Sequence, residues 1–140
     1  MNYMLDASVC IDYLRRPGSP MREWMRARDR KSVHICSVVR AELLVGVRKC
    51  ASVRHRLAVY ALLAMAGSYP FDNTTAEAYA DIRADLERRG QGIGPNDTQI
   101  AAIALTHGAT LVTGNPKEFR RVSSLAVLSL EDLAAGKTTP

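Results

Sequence analysis

One stretch of the sequence decides the fold: Gly94-Pro-Asn-Asp-Thr-Gln-Ile-Ala-Ala-Ile-Ala-Leu-Thr-His-Gly108. It predicts a single helix, with Asn96 as the N-cap and Gly108 in the C′ position beyond its end. The residues between are apolar almost all round, and such a helix is normally buried. Asp97 lies in its first turn, where the positive end of the helix dipole stabilises negative charge. An ordinary helix-start acid can occupy the same position, so the role of Asp97 depends on whether other acids converge on it.

The length and composition are those of one globular domain. The chain has 140 residues, of which 47% are hydrophobic, enough to bury a core without metal or disulfide cross-links. We expect a domain over residues 1–135 and a frayed tail over 136–140. The net charge of +5 indicates a polyanionic partner, with nucleic acid favoured over a membrane.

Several features predict a cytoplasmic protein. No apolar run is long enough to span a bilayer, and the first residues lack the basic region of a signal peptide. The three cysteines have no CxxC spacing, which is typical of reduced, mostly buried thiols. We therefore expect no membrane partner.

Strands and helices alternate along the chain. The predicted strands are residues 3–5, 33–36, 109–113 and 125–128, with 68–71 as an edge strand or a loop. The predicted helices follow Ser8, Ser37 and a capping box at Thr74–Glu77, and also cover residues 20–30, 52–66 and 131–135. This alternation predicts an α/β domain with a mainly parallel sheet and helices on both faces.

Four acids are predicted to meet at one edge of that sheet. Ligands of parallel sheets bind outside the carboxyl ends of the strands. Asp6 directly follows the first strand, and Glu42 follows the second by two helical turns. Glu118 comes soon after the strand at 109–113, and Asp97 begins the central helix. We predict these four acids as catalytic residues, with Ser8, Thr113 and Asn115 as supporting polar residues.

The predicted site suits metal-assisted phosphodiester hydrolysis. Gathered carboxylates repel one another unless a cation lies between them, and oxygen ligands select Mg²⁺ or, alternatively, Mn²⁺. Such a metal activates water and polarises a phosphoryl oxygen. Basic residues expected to bind the polyanion are Arg26, Arg28, Arg30, Lys117 and Arg120.

Other chemistries find less support in the sequence. The histidines have no zinc-ligand spacing and are expected to be packing or surface residues. Ser8 has no histidine partner for a hydrolase triad. The Gly90–Gly94 segment lacks the Lys-Ser/Thr of a phosphate-binding loop.

Four motifs in order resemble the PIN-domain ribonucleases, and most of all the VapC-type toxins of bacterial toxin–antitoxin pairs. They are Tyr3-Met-Leu-Asp-Ala-Ser-Val9, Ser37-Val-Val-Arg-Ala-Glu-Leu-Leu-Val-Gly46, Ile93-Gly-Pro-Asn-Asp-Thr-Gln-Ile-Ala-Ala102 and Leu111-Val-Thr-Gly-Asn-Pro-Lys-Glu-Phe119. The resemblance implies that Asp6, Glu42 and Asp97 form the acidic triad, and that Asp6 and Asp97 bind Mg²⁺. Asn115 stands where many PIN proteins have Asp, and Glu118 matches an acid of the VapC-like subgroup. Gly114 departs from the Asn common before that position.

The resemblance also has implications for the fold and the partners. It implies a parallel sheet of about five strands, an RNA substrate such as tRNA or rRNA, and a cognate antitoxin whose tail crosses the active-site groove. It further implies a homodimer. Large apolar residues on peripheral helices independently favour an interface, namely Met21, Trp24, Met25, Tyr60 and Met65.

Two other classes of protein are alternatives to the nuclease. A non-catalytic PIN-like module that binds RNA or a partner would have a broken triad, whereas all three acids are present. A receiver-like phosphoacceptor domain would have adjacent acids after the first strand and a lysine after a late strand. Asp6-Ala-Ser8 and Thr113-Gly-Asn115 provide neither. Cleavage of DNA remains open, because metal-assisted hydrolysis does not by itself distinguish the sugars.

Overall fold

The computed structural model describes all 140 residues and contains one five-stranded sheet. The strand order is β3-β2-β1-β4-β5, and every neighbouring pair is parallel. The strands are β1 (Tyr3–Leu5), β2 (Val33–Cys36), β3 (Gly67–Tyr69), β4 (Thr110–Thr113) and β5 (Val127–Ser129). The predicted parallel α/β fold is confirmed, and the segment around Ser68 is an edge strand.

Seven α-helices connect the strands, and an eighth follows the last strand. They are α1 (Ala7–Arg15), α2 (Pro20–Arg26), α3 (Ser37–Lys49), α4 (Val53–Met65), α5 (Asn73–Arg88), α6 (Pro95–Thr106), α7 (Pro116–Phe119) and α8 (Leu130–Ala134). The chain moves outward from β1 to β3, then crosses back through α5 and α6 to β4 and continues to β5. Because such crossovers are right-handed, α1–α4 lie on one face and α5–α6 on the other. None of these helices is long and apolar enough to cross a membrane.

Helix α6 is the buried central helix that the sequence predicts. Its residues from Ile100 to Ala104 are completely buried. Gly108 follows its end with a φ of 58°, as expected for a C′ glycine. The predicted N-cap is wrong: Gly94 is the N-cap and Pro95 the first helical residue. Proline suits that position because its fixed φ is helical and its missing N–H would have no partner there. Asn96 is thereby left free to contact Glu42.

Three other helix starts also differ from the prediction, each by one or two residues. Asp6 caps α1 in place of Ser8. Cys36 precedes α3, and the Ser37 hydroxyl instead accepts a hydrogen bond from the loop after β3. Asp72 caps α5 by accepting the Thr75 N–H, so the predicted capping box at Thr74–Glu77 is not formed. In α1 and α5 an aspartate just upstream supplies the capping oxygen, and that aspartate fixes the first turn.

The peripheral helices correct the predicted apolar surface. Helix α2 ends at Arg26, not at residue 30, and a short 3₁₀ helix covers Arg30–Ser32. Met21 and Trp24 point inward, with Trp24 only 6% exposed and packed edge-on against Tyr3. In α4 the buried residues are Val59, Leu62 and Leu63, whereas Leu57 and Tyr60 point outward. Both sides of α4 are apolar, so periodicity does not identify its buried side.

The packing role predicted for the histidines is confirmed for two of them. His34 and His107 stack against the ring of Tyr69, with centroid distances of 4.3 and 3.8 Å. Tyr69 belongs to the edge strand β3, so the three rings cover that side of the sheet. None of the three belongs to the acidic site described below.

Candidate active site

Asp6 is a buried carboxylate held by three donors. It follows β1 at the centre of the sheet and is 6% exposed. Its Oδ1 accepts the Ala7 N–H at 2.8 Å, and its Oδ2 accepts the hydroxyls of Ser8 at 3.1 Å and Thr113 at 2.8 Å. Because a buried charge without such donors would be costly, these bonds both stabilise the carboxylate and fix its orientation.

The same two hydroxyls attach the loop after β4 to Asp6. The Ser8 Oγ accepts the Gly114 N–H at 2.9 Å, and the Thr113 Oγ1 accepts the Asn115 N–H at 3.0 Å. The backbone of Gly114 therefore lies directly on Ser8. A Cβ atom at position 114 would lie 3.3 Å from both Ser8 Oγ and Leu130 Cδ1, tighter than an ordinary contact. This gives a steric reason for glycine at the position where the sequence departs from the common motif.

Glu42 and Asp97 lie half-buried beside Asp6 and resist ionisation. Burial, and then the charge of Asp6, raise the pKa of Glu42, although a hydrogen bond from Asn96 opposes the shift. Burial raises the pKa of Asp97 to about 6, together with a hydrogen bond to Glu118 and the charges of Asp6, Glu118 and Glu42. The structure thus brings together the four acids that the sequence singles out.

No basic side chain neutralises this acidic cluster. None of the six ion pairs of the chain includes Asp6, Glu42, Asp97 or Glu118. No group of three His, Cys, Asp or Glu side chains is arranged so that it could already hold a metal ion. Asp97 instead lies close to Glu118, whose proximity helps to raise the pKa of Asp97. All the ligand atoms that these four acids offer are oxygens, as a hard cation requires. The carboxylates would have to move closer together to bind the ion.

The two groups of basic residues lie at opposite ends of the strands. Lys117 and Arg120 flank Glu118 at the carboxyl end of β4, and Arg120 also pairs with Asp132 at 3.2 Å. The other group, Arg26, Arg28 and Arg30, lines a cavity of about 390 Å³ together with Val33 and Ala66. Val33 begins β2 and Ala66 precedes β3, so this cavity lies at the amino ends of the strands. The structure therefore does not bring these three arginines to the acids.

Asn96 is a site residue whose position sequence reasoning missed. Its Nδ2 lies 3.5 Å from the Glu42 Oε1, across the gap between α6 and α3. The sequence places it next to Asp97 at a helix start, which is also the position of an N-cap. Asn96 could therefore have been the N-cap or a partner of Glu42. The structure decides for the second role, because Gly94 is the N-cap.

Comparison with known proteins agrees with this arrangement. The family model described as "PIN domain" matches residues 3–125. The chain belongs to the PIN-domain family. A relative from Shigella flexneri, named tRNA(fMet)-specific endonuclease VapC, is 32% identical over 126 residues, which are 89% of this chain and 95% of the relative. Ribonuclease VapC2 of Rickettsia felis is 33% identical over 127 residues, with the same two coverages.

A solved structure extends this PIN-domain likeness to the fold. It is VapBC2 from Rickettsia felis bound to a DNA fragment from the promoter, with a TM-score of 0.80 and 30% sequence identity. The match covers 92% of this chain and 98% of the other. The resemblance to the VapC-type toxins, nucleases of toxin–antitoxin pairs, is thereby confirmed.

Proposed function

We propose that the chain is the toxin of a VapBC-type pair and acts as a Mg²⁺-dependent endoribonuclease. One observation supports this above the others: Asp6, Glu42, Asp97 and Glu118 converge without a basic partner at the carboxyl ends of β1 and β4. These strands are the neighbours from which the chain leaves in opposite directions, and ligands of parallel sheets bind at such a point. The names of the VapC relatives support the choice of a nuclease.

Asp6 and Asp97 would hold the metal, with Mn²⁺ as an alternative to Mg²⁺. When bound, the ion polarises a phosphoryl oxygen and lowers the pKa of a water molecule. Asp6 is preorganised for this role, because Ser8 and Thr113 fix one of its oxygens. Asp97, whose pKa is raised by burial and by the neighbouring acids, would be the carboxyl group that a cation favours in its charged form.

Glu42 is the residue best placed to take a proton from the attacking water. Its pKa is raised by burial and by Asp6, which makes it a stronger proton acceptor than an ordinary glutamate. Asn96 donates to its Oε1 and orients the carboxylate. Glu118, on the exposed helix α7, would act mainly by adjusting Asp97.

The proposed substrate is a structured RNA such as tRNA or rRNA. Lys117 and Arg120 lie beside Glu118 and would contact phosphates near the cleaved bond. Arg26, Arg28 and Arg30 would contact another part of the RNA, one that passes the amino ends of the strands. The tRNA in the name of the Shigella flexneri relative supports this class of substrate.

The proposed protein partners are a cognate antitoxin and a second copy of the chain, both in the cytoplasm. The similarity to VapBC2 from Rickettsia felis, a toxin–antitoxin complex, supports the antitoxin. For the homodimer, α4 offers an apolar surface, since Val53, Leu57 and Tyr60 are 59%, 66% and 45% exposed. We expect sedimentation to give a dimer, and Leu57→Asp to shift it towards monomer. A wild-type monomer at high micromolar concentration would contradict the homodimer.

The function is tested by incubating the purified protein with total RNA and Mg²⁺ and sequencing the new ends. EDTA and an Asp97→Asn protein prepared in parallel are the controls. Discrete new ends that disappear in both controls are expected. RNA binding without any cleavage would instead favour a non-catalytic module. A single-stranded DNA of matching sequence distinguishes ribonuclease from deoxyribonuclease activity.

A further inference from the structure

A second depression lies directly beside the acids, between α3 and α6. It has a volume of about 420 Å³, and we refer to it as the Phe71 pocket. Its wall includes Glu42, so it shares a residue with the acidic site. The other residues that matter here are Val38, Val45, Phe71, Asn96 and Gln99.

Phe71 presents an exposed aromatic ring at a fixed position. Phe71 is 38% exposed. Its backbone N–H donates to the Ser37 Oγ at 3.1 Å, and its ring lies perpendicular to that of Tyr79 at 6.0 Å between centroids. The first contact holds the backbone of Phe71, the second supports one side of its ring, and part of the residue stays accessible. Such an aromatic is a surface on which a planar group can stack.

Two amide side chains stand in the same pocket. Gln99 is half-buried on α6, one turn after Asn96, and its amide makes no hydrogen bond within the protein. Asn96 donates one long hydrogen bond, to Glu42, and keeps a second donor and its carbonyl oxygen. Each amide therefore offers an adjacent donor and acceptor, the pattern that matches the edge of a nucleobase.

The charges of the pocket indicate which part of a nucleotide it fits. No lysine or arginine lines it, whereas the cavity at the amino ends of the strands has four arginines in its wall. Its one charged residue, Glu42, is an acid that would repel a phosphate. The apolar side chains of Val38 and Val45 complete a surface for an uncharged, planar group.

We propose that the Phe71 pocket binds an unpaired nucleobase next to the cleaved phosphodiester and sets the base preference of cleavage. The base stacks on Phe71, and the amides of Gln99 and Asn96 bind its edge. This inference rests on the proposed function, because Glu42 connects the pocket to the acids. It requires a single-stranded target, such as a loop, since a base in a duplex cannot enter a pocket.

The test uses a pool of RNA stem-loops with a randomised loop, cut by the full-length protein with Mg²⁺ and sequenced at the new ends. Wild type should show a base preference at one position beside the cleaved bond. Phe71→Ala should flatten that preference and raise KM about tenfold, within the range for losing one stacked base. Phe71→Trp should retain both properties, and Gln99→Ala should change the preferred base.

Ile11→Ala is the matched control, because Ile11 is also 38% exposed but lies on α1. Circular dichroism checks that each variant is folded. If Phe71→Ala does not fold, Gln99→Ala decides the outcome. An unchanged base preference in every folded pocket variant, or a wild type that cuts without preference, would overturn the inference and leave the nuclease intact. Absence of any Mg²⁺-dependent cleavage by wild type would instead refute the proposed function.

Discussion

At the scale of single residues, the four acids are not equivalent. Asp6 accepts three hydrogen bonds inside the fold, whereas Glu42 and Asp97 are half-buried groups whose pKa values are raised. Glu118 is exposed, and its proximity helps to raise the pKa of Asp97. The protein therefore fixes one carboxylate and leaves the others to respond to protons or to a cation.

Loss of a single acid should abolish cleavage without unfolding the protein. We expect Asp6→Asn, Glu42→Gln and Asp97→Asn each to lower kcat/KM for RNA by about 100-fold or more, since each removes a metal ligand or a proton acceptor. Glu118→Gln should have a smaller effect, because Glu118 is exposed and acts mainly through its influence on Asp97. Full activity in an Asp97→Asn preparation shown to be free of other nucleases would be incompatible with the mechanism.

The hydroxyl of Thr113 should be needed both for stability and for RNA cleavage, although we do not expect it to contact the substrate. Thr113→Val replaces a fully buried hydroxyl by a methyl group and leaves the Asn115 N–H without its acceptor. We expect a loss of about 1–3 kcal/mol in the free energy of unfolding and a clear fall in cleavage. Thr113→Ser keeps the hydroxyl and should retain activity. Denaturant unfolding and RNA cleavage measure the two effects, and equal behaviour of the two variants would contradict the role given to the hydroxyl.

At the scale of elements, the sequence predicts what depends on local pattern and strand direction. The buried helix α6 follows from its continuous apolar residues, and the meeting of Asp6 with Asp97 follows from the direction of parallel strands. The exact first residue of a helix could not be predicted. Asn96, for example, is a favourable N-cap residue, although Gly94 has that position in the structure. The buried side of α4 could not be chosen, because Leu57 and Leu62 are equally apolar. The side chains that surround the Phe71 pocket come from three separate elements, which no local pattern connects.

The two groups of basic residues lie at opposite ends of the strands. Their contributions to RNA binding should therefore depend on the length of the RNA. Binding should weaken steeply with salt because phosphate contacts release counterions. Lys117→Ala with Arg120→Ala should flatten the salt dependence for both a short oligonucleotide around the cleavage site and a full-length structured RNA. Changing Arg26, Arg28 and Arg30 together to Ala should flatten it for the long RNA alone. If both sets of substitutions had the same effect on the short oligonucleotide, the placement of the two basic groups at opposite ends of the strands would be contradicted.

The fold as a whole concentrates like charges at the place where a parallel sheet binds its ligands. Strands β1 and β4 end side by side, and α3 and α6 both contribute acids to that point. The core beneath is continuous and apolar, with Met4, Leu5 and Val112 nearly or completely buried. Stability of the fold and function of the site are therefore opposed in the absence of a cation.

The cost of holding these acids together depends on pH. Asp97 has a pKa of about 6 in the folded protein and 3.8 as its ordinary value. Between these values the folded state binds more protons than the unfolded state, so stability falls as pH rises from about 4 to 6. The penalty persists above pH 6. It is smaller than the shift suggests, because solvent screens a half-exposed group.

Asp97→Asn removes that titration, so in EDTA at about pH 7.5 the variant should melt at the same temperature as wild type or higher. At about pH 4.5 the advantage should shrink. Mg²⁺ should raise the melting temperature of wild type at the higher pH by binding the native state, and raise that of the variant much less. Asp81→Asn, on an exposed acid of α5 without an ion pair, is the control and should respond like wild type. If Asp97→Asn were clearly less stable than wild type in EDTA, with an equal response to Mg²⁺, Asp97 would be a structural residue of α6 and not a metal ligand.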